Sequence, residues 1–204
     1  MNSTCVIALA LTDTAAEMNA DYIGADRGAL ILAKQKIHMI AAIGDFDSVS
    51  EEQLSQIEAC TDQMVRLNPI KDDSDSEAAV RMAVEKGYEN IILLGALGGR
   101  TDHEIVNLKL AAEFPNRLIL RNHQNMVEAR SVGIYEIEQN EFPYFSIFTA
   151  DEAEISLSGF KYPLSHRLMK KTDLYGLSNE ILKDKGILTV HSGIVITIRS
   201  KDAG

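Results

Sequence analysis

The sequence predicts an α/β protein in two parts, an N-terminal parallel sheet flanked by helices and a C-terminal all-β sandwich. Three observations predict it. Over roughly the first 120 residues, short apolar runs alternate with amphipathic stretches, the pattern of strands joined by crossover helices. After about Asn122 the runs become short and rich in β-branched and aromatic residues, with turn signals between them. The 204 residues, 46% hydrophobic and 25% charged, are enough for one or two ordinary globular domains. The predicted domains are 1–122 and 123–204.

Taken in order, "CVIALAL" is the first strand, with no basic leader ahead of it. "DYIGA" is the second strand, and "RGALILAKQK" the helix that follows. "MIAAIG" is a strand, and "SEEQLSQIEAC" a helix capped by Ser50, with Glu51 and Glu52 at the positive end of its dipole. "QMVRL" precedes a helix starting near Ser74, where Ala78, Ala79, Met82 and Ala83 recur at helical spacing and Gly87 supplies the stop. "NIILL", the helix "TDHEIVNLKLAAEF" and the strand "RLIL" complete the first part. In the second, "MVEARSVGIYEIEQ", "YFSIFTA", "EAEISLSG", "GILTVHSG" and "IVITIRS" read as strands, with turns at Gly133, Asn140, Gly159 and Ser192-Gly193. The long polar stretch "HRLMKKTDLYGLSNEILKDKG" interrupts them as an excursion expected to carry function.

A formal net charge of -10 argues against a nucleic-acid scaffold, which needs a basic surface. No run reaches the roughly 18–20 apolar residues that span a bilayer, so no membrane partner is expected. Cys5 and Cys60 lack metal-ligand spacing and read as free, buried thiols, which suits a reducing cytoplasm.

In open α/β sheets, ligands bind beyond the carboxyl ends of the strands. The clusters of the first part fall there: Asp26, then Asp45 and Asp47, then Lys71 to Asp75, then Gly95 to His103. If "DFD" continues the strand, Asp45 and Asp47 share a face about 7 Å apart. Converging carboxylates raise each other's pKa unless a cation lies between them, and Mg2+ is the hard cation that suits oxygen ligands and phosphate. Between Gly44 and Glu77, ten acids face only Arg66 and Lys71, a net charge of -8. A phosphate ligand there requires metal. Asp72 and Asp75 are further candidate ligands, Asp75 being equally suited to a first-turn dipole role. Lys71 is a candidate phosphate contact or a solvated neighbour of the acids, and Asp73 and Ser74 read as caps. "LGALGGRTDH" lacks the G-K-[ST] of a P-loop, yet its glycines allow close approach to a phosphate, and Arg100 offers a planar fork. Asp102 and His103 open a helix, where capping is the alternative to a site.

Together these motifs resemble the thiamine pyrophosphokinase family, which transfers a diphosphate from ATP to thiamine. "IGADRGA", "IGDFDSVS", "KDDSD", "GALGGRTDHEIVN", "ISLSGFKYPL" and "GLSNE" occur in the family's order and span most of the chain. The resemblance implies a catalytic α/β domain, a β-sandwich, and a homodimer with thiamine bound where two subunits meet. It places Asp26, Asp45, Asp47, Asp72 and Asp75 around Mg2+ and the ATP phosphates, and Arg100, Asp102 and His103 on the nucleotide side. Ser178 and Asn179 fall near the thiamine pyrimidine. The chain departs from the family in three places. "LALTDT" replaces a Gly-Gly pair in the first loop, Ser74 stands for a more usual threonine, and there is no tryptophan, so a ring stacking on thiamine must be Tyr or Phe. Ser178 and Asn179 have neutral donors and acceptors suited to an aminopyrimidine edge; alternatively Ser178 caps a helix beginning at Asn179. The rival functions are a metal-dependent nucleotide or pyrophosphate hydrolase, which leaves "GLSNE" unexplained, and a non-catalytic thiamine- or nucleotide-sensing module, which leaves the acids unexplained.

Overall fold

Strands that must be covered on both faces need apolar side chains on both, and the first sheet is built from such strands. The computed structural model describes residues 3–13, 15, 19–68 and 74–203, and the chain falls into two units, 1–107 and 108–204. In the first unit, β1 (Thr4–Ala8), β2 (Asp21–Ala25), β3 (Ala41–Gly44), β4 (Met64–Arg66) and β5 (Asn90–Leu94) form a parallel sheet in the order β5-β1-β2-β3-β4. Every residue of β3, and Cys5 to Ala8 of β1, is buried. Burial pushes the Cys5 thiol up to about 12, with Asp21 adding to the shift, so the thiol is inert; Cys60 is free and half-buried.

The helices follow from their caps and apolar faces. Helix α1 (Arg27–Lys34) buries Gly28, Ala29, Leu30, Leu32 and Ala33. Helix α2 (Glu51–Glu58) starts with a complete capping box: Ser50 Oγ accepts from Gln53 N, and the Gln53 side chain accepts from Ser50 N. Helix α3 (Asp75–Glu85) is capped by Ser74, which accepts from Glu77 N at 3.2 Å, and Gly87 ends it at φ 87°. Its buried face is Ala79, Val80 and Ala83, with Ala78 and Met82 only half-buried, so the stripe lies closer to Val80 than the spacing predicted. Helix α4 (Thr101–Glu113) follows β5.

Gly28 sets how closely α1 approaches the sheet, because a Cβ there would lie 1.9 Å from the Ala8 carbonyl oxygen. Gly28→Ala is expected to cost about 3 kcal/mol or more, lowering the melting temperature followed by circular dichroism by roughly 5–10 °C. An unchanged melting temperature would show that the approach relaxes freely.

The second unit holds β6 (Leu118–Arg121), β7 (Asn125–Arg130), β8 (Gly133–Glu138), β9 (Tyr144–Thr149), β10 (Glu152–Ser158), β11 (Leu164–Lys170), β12 (Asn179–Glu180), β13 (Lys185–Ser192) and β14 (Val195–Ser200). One antiparallel sheet runs β12-β9-β14-β7-β6 and the other β11-β10-β13-β8. Phe145, Ile147 and Val195 from the first pack with Ile155, Leu157, Leu188 and Val190 from the second, the core of the predicted sandwich.

Two segments differ from the sequence reading. "MVEARSVGIYEIEQ" is two strands in different sheets, β7 and β8, divided at Ser131-Val132. The excursion "HRLMKKTDLYGLSNEILKDKG" begins inside a full strand, β11, an edge strand on which only Met169 is buried, so it shows no apolar alternation to read. Among the described residues, no helix is long and apolar enough to cross a membrane.

Candidate active site

The sheet order reverses at β1, which has β2 on one side and β5 on the other, and such a switch point opens a crevice beyond the strand ends. A cleft of about 700 Å³ lies there. Leu9 to Leu11 follow β1 along it, Asp26 follows β2, Asp45 follows β3, and Gly95 to Arg100 follow β5. Ser74 to Ser76 at the start of α3, and His103 and Asn107 on α4, complete the lining. Gly95, at φ 72°, is pressed so close to the first loop that a Cβ would meet Thr12 N at 2.6 Å.

Asp26 occupies the N-cap position of α1 but makes no cap hydrogen bond. Its backbone is left-handed, at φ 48°, which is uncommon for a non-glycine residue; its N–H donates to Ile43 O at 2.9 Å. The side chain is turned into the cleft, where Oδ1 is buried against Gly44 without a hydrogen-bond partner. Burial pushes the Asp26 carboxyl from 3.8 up to about 7, helped by the hydrogen bond its protonated form donates to Asp75 and by the charges of Asp75 and Asp45; a bond from the Phe46 backbone opposes it. An orphaned oxygen on a carboxyl that shares its proton with a second carboxyl fits a hard divalent cation with oxygen ligands. Among the described residues, no group of three or more His, Cys, Asp or Glu side chains already stands at metal-holding distances.

Asp45 and Asp47 do not share a strand face. Strand β3 ends at Gly44, and Phe46, buried and left-handed at φ 57°, turns the chain between the two aspartates. Asp45 Oδ1 accepts from Asp47 N at 3.1 Å, and Asp47 itself is exposed, outside the cleft lining. Asp75 lines the cleft from the first turn of α3. Lys71, Asp72 and Asp73 lie outside the described residues.

Arg100 and Asp102 form a bidentate pair, Nε to Oδ1 at 3.1 Å and Nη2 to Oδ2 at 2.6 Å, and His103 N donates to Asp102 Oδ1 at 3.0 Å. The Arg100 fork, with the His103 N–H adding, holds the Asp102 carboxyl down at about 2. Asp102 thus orients Arg100 at the rim of the cleft, while Arg100 and His103 line it. Sequence reasoning missed Asn107, buried in the lining with Nδ2 donating to Ala96 O at 2.9 Å, and marked Leu9 to Leu11 only as part of the loop "LALTDT" that departs from the family pattern. Asn107 follows His103 by four residues, so it shares that helix face; Leu9 to Leu11 follow from the strand-end rule applied to β1.

The second unit has its own apolar cavity, of about 220 Å³, lined by Ile147, Leu157, Tyr162, Leu164, Tyr175 and Asn179, with Gly176 and Leu177. No helix begins at Asn179: Asn179 and Glu180 are β12, paired with Phe145 and Tyr144 of β9. Backbone pairing and a left-handed Ser178, at φ 52°, exclude the capping alternative there. Ser178 N donates to Ser146 Oγ at 3.0 Å, and its side chain is exposed and outside the lining. Asn179 is buried; its Oδ1 accepts from Tyr162 N at 3.0 Å and Glu180 N at 2.9 Å, and its Nδ2 donates to Tyr162 O at 2.8 Å. Tyr175 is committed to Arg167, whose Nε donates to its hydroxyl at 3.0 Å, whereas Tyr162 is 59% exposed.

Comparison with known proteins bears on both units. The family model "Thiamin pyrophosphokinase, catalytic domain" matches residues 14–121, and "Thiamin pyrophosphokinase, vitamin B1 binding domain" matches residues 134–195. A thiamine pyrophosphokinase of Bacillus subtilis is 33% identical over 187 residues, covering 89% of this chain and 87% of that protein. The crystal structure of thiamine pyrophosphokinase from Bacillus subtilis superimposes with a TM-score of 0.87 at 29% identity, covering 98% of this chain and all of that one. A thiamin pyrophosphokinase family protein from Enterococcus faecalis gives 0.88 at 26%, covering 98% and 99%.

Proposed function

Since the chain belongs to the thiamin pyrophosphokinase family, we propose that the cleft beyond β1, β2, β3 and β5 holds ATP and the cavity beside Tyr162 holds thiamine. The enzyme transfers diphosphate from ATP to thiamine, giving thiamine diphosphate and AMP. The observation that carries the site assignment is the cleft at the switch point, with Asp26, Asp45 and Asp75 turned toward it. Family members use ATP and typically a divalent metal. Here we take the metal to be Mg2+, held by Asp26, Asp45 and Asp75, with Asp47 and Asp72 as further ligands by family position. When bound, it neutralises phosphate charge at the reacting β-phosphorus.

The chain's own groups do the rest. Arg100, oriented by Asp102, presents its remaining guanidinium N–H groups to a phosphate oxygen, His103 and Lys71 add donors, and the Gly95–Gly99 backbone admits the phosphates closely. The thiamine hydroxyl attacks the β-phosphorus, the bond to the α-phosphate oxygen breaks, AMP leaves, and one cleft aspartate takes the hydroxyl proton. Tyr162 provides the aromatic face for the thiamine ring system, since Tyr175 is held by Arg167 whereas the Tyr162 ring is largely exposed, and a ring face attracts a cationic ring. Asn179 fixes the Tyr162 backbone, and Ser178 borders the pyrimidine. A cytoplasmic homodimer, joined through the β half (residues 123–204), brings acceptor and donor together.

Incubation with ATP, Mg2+ and thiamine tests this reading. AMP and thiamine diphosphate should appear in equal amounts, and chelation with EDTA should abolish both. AMP formed equally without thiamine would assign the cleft to hydrolysis. Binding of either substrate without turnover would assign it to sensing.

A further inference from the structure

The interior of the β unit is apolar over most of its length, but one end is charged. Along β14 the inward positions run Val195, Thr197, Arg199, and along β7 they include Glu128 and Arg130. These groups face a cavity of about 300 Å³, with Met126 and Phe145 as its apolar floor and Glu138 near its mouth. The cavity shares no residue with the one beside Tyr162, and its lining comes wholly from the second unit.

The charges do not balance within the protein. Arg199 is 8% exposed, and its Nε, like that of Arg130, is buried without a hydrogen-bond partner. Among the described residues, no carboxylate comes within ion-pair distance of Arg199, whose Nη2 only reaches Phe142 O at 3.5 Å. Glu128, the buried acid here, pairs through Oε2 with Arg130 Nη2, and Glu136 is taken by Lys185 at 2.8 Å. Two guanidinium groups therefore share one buried carboxylate. A buried charge left without a counter-charge is strongly disfavoured.

We propose that this cavity is an oxyanion site, taking the carboxylate or phosphate group of a small ligand on the fork of Arg199, with Arg130 as the second donor. A planar guanidinium matches either group through two parallel hydrogen bonds. Glu138, near the mouth, disfavours a polyanion such as a triphosphate, so the ligand carries one or two negative charges, and its apolar part lies against Met126 and Phe145. This inference does not depend on which substrates the enzyme uses.

The test is nuclear magnetic resonance of the arginine Nε–H groups of the intact enzyme, assigned through bonds from the backbone, during separate titrations with inorganic phosphate and with sodium acetate. Sodium chloride at matched ionic strength is the control. The Arg199 signal should shift saturably with at least one of the two anions, half-complete at about 1–10 mM, and not with chloride. A shift with phosphate alone assigns a phosphate-bearing ligand, and with acetate alone a carboxylate. Arg199→Met should melt no lower than wild type without added anion, transfer diphosphate at the wild-type rate, and lose the anion response of Arg130. Absence of an Arg199 shift with either anion would overturn the proposal, as would a marked fall in the melting temperature of Arg199→Met, which would make Arg199 part of a self-sufficient ion network.

Discussion

Asp45→Asn is expected to lower turnover at least about a hundredfold while leaving the melting temperature almost unchanged, because it removes a charge from the cleft without removing volume. The loss should be one of kcat more than of the ATP KM, since charge on the reacting phosphates is neutralised most strongly in the transition state. Near wild-type turnover at limiting Mg2+ would reduce Asp45 to a turn residue whose one task is to accept from Asp47 N. Asp26 adds a pH signature that activity alone does not supply. Its carboxyl, raised from 3.8 to about 7, is protonated in the metal-free folded protein over a range where the unfolded chain has released its proton. The folded state therefore binds more protons between those two values, and metal-free stability falls as pH rises through them. Asp26→Asn should remove that fall, so that at pH 8 without metal the variant melts above wild type, while Mg2+ stabilises only the wild type. A variant that melts lower at pH 8 would mean that the carboxylate is satisfied by the protein.

Much of this was legible in the sequence because strand ends are where apolar runs stop, and "DYIGA", "MIAAIG" and "NIILL" each stop at an acid or a glycine cluster. Ser50 and Ser74 behaved as caps because a cap is decided by local chemistry. The D-x-D pair was misread at its geometry, since alternation holds only while the strand lasts, and nothing in "GDFDS" reveals that Phe46 is left-handed and buried. The Arg100–Asp102 fork also escaped, because two side chains two residues apart meet only when the loop before α4 folds back. Strand β11 was hidden by exposure: a polar edge strand carries no apolar period.

The same limit shaped the reading of Asn179. Its neutral amide suggested a direct contact with an aminopyrimidine, yet both its oxygen and its nitrogen are engaged with backbone: Tyr162 N and O, and Glu180 N. In the proposed site Asn179 would therefore act on thiamine through Tyr162, and the two residues should fail differently. Tyr162→Ala should raise the thiamine KM at least about tenfold, the loss of an aromatic face worth about 1–3 kcal/mol, with the melting temperature and the ATP KM nearly unchanged, since the ring is largely exposed. Tyr162→Phe keeps the face and should bind thiamine almost as wild type does. Asn179→Ala should raise the thiamine KM to a similar extent, but it also strands three partly buried backbone groups, at a cost of about 1–3 kcal/mol, so its melting temperature should fall by roughly 3–8 °C. Combining the two substitutions should raise the thiamine KM no further than either alone, because they act on one contact. Additive KM effects would restore an independent contact from Asn179 to thiamine, and a rise in the ATP KM equal to that for thiamine would mean that the cavity beside Tyr162 is not the acceptor site.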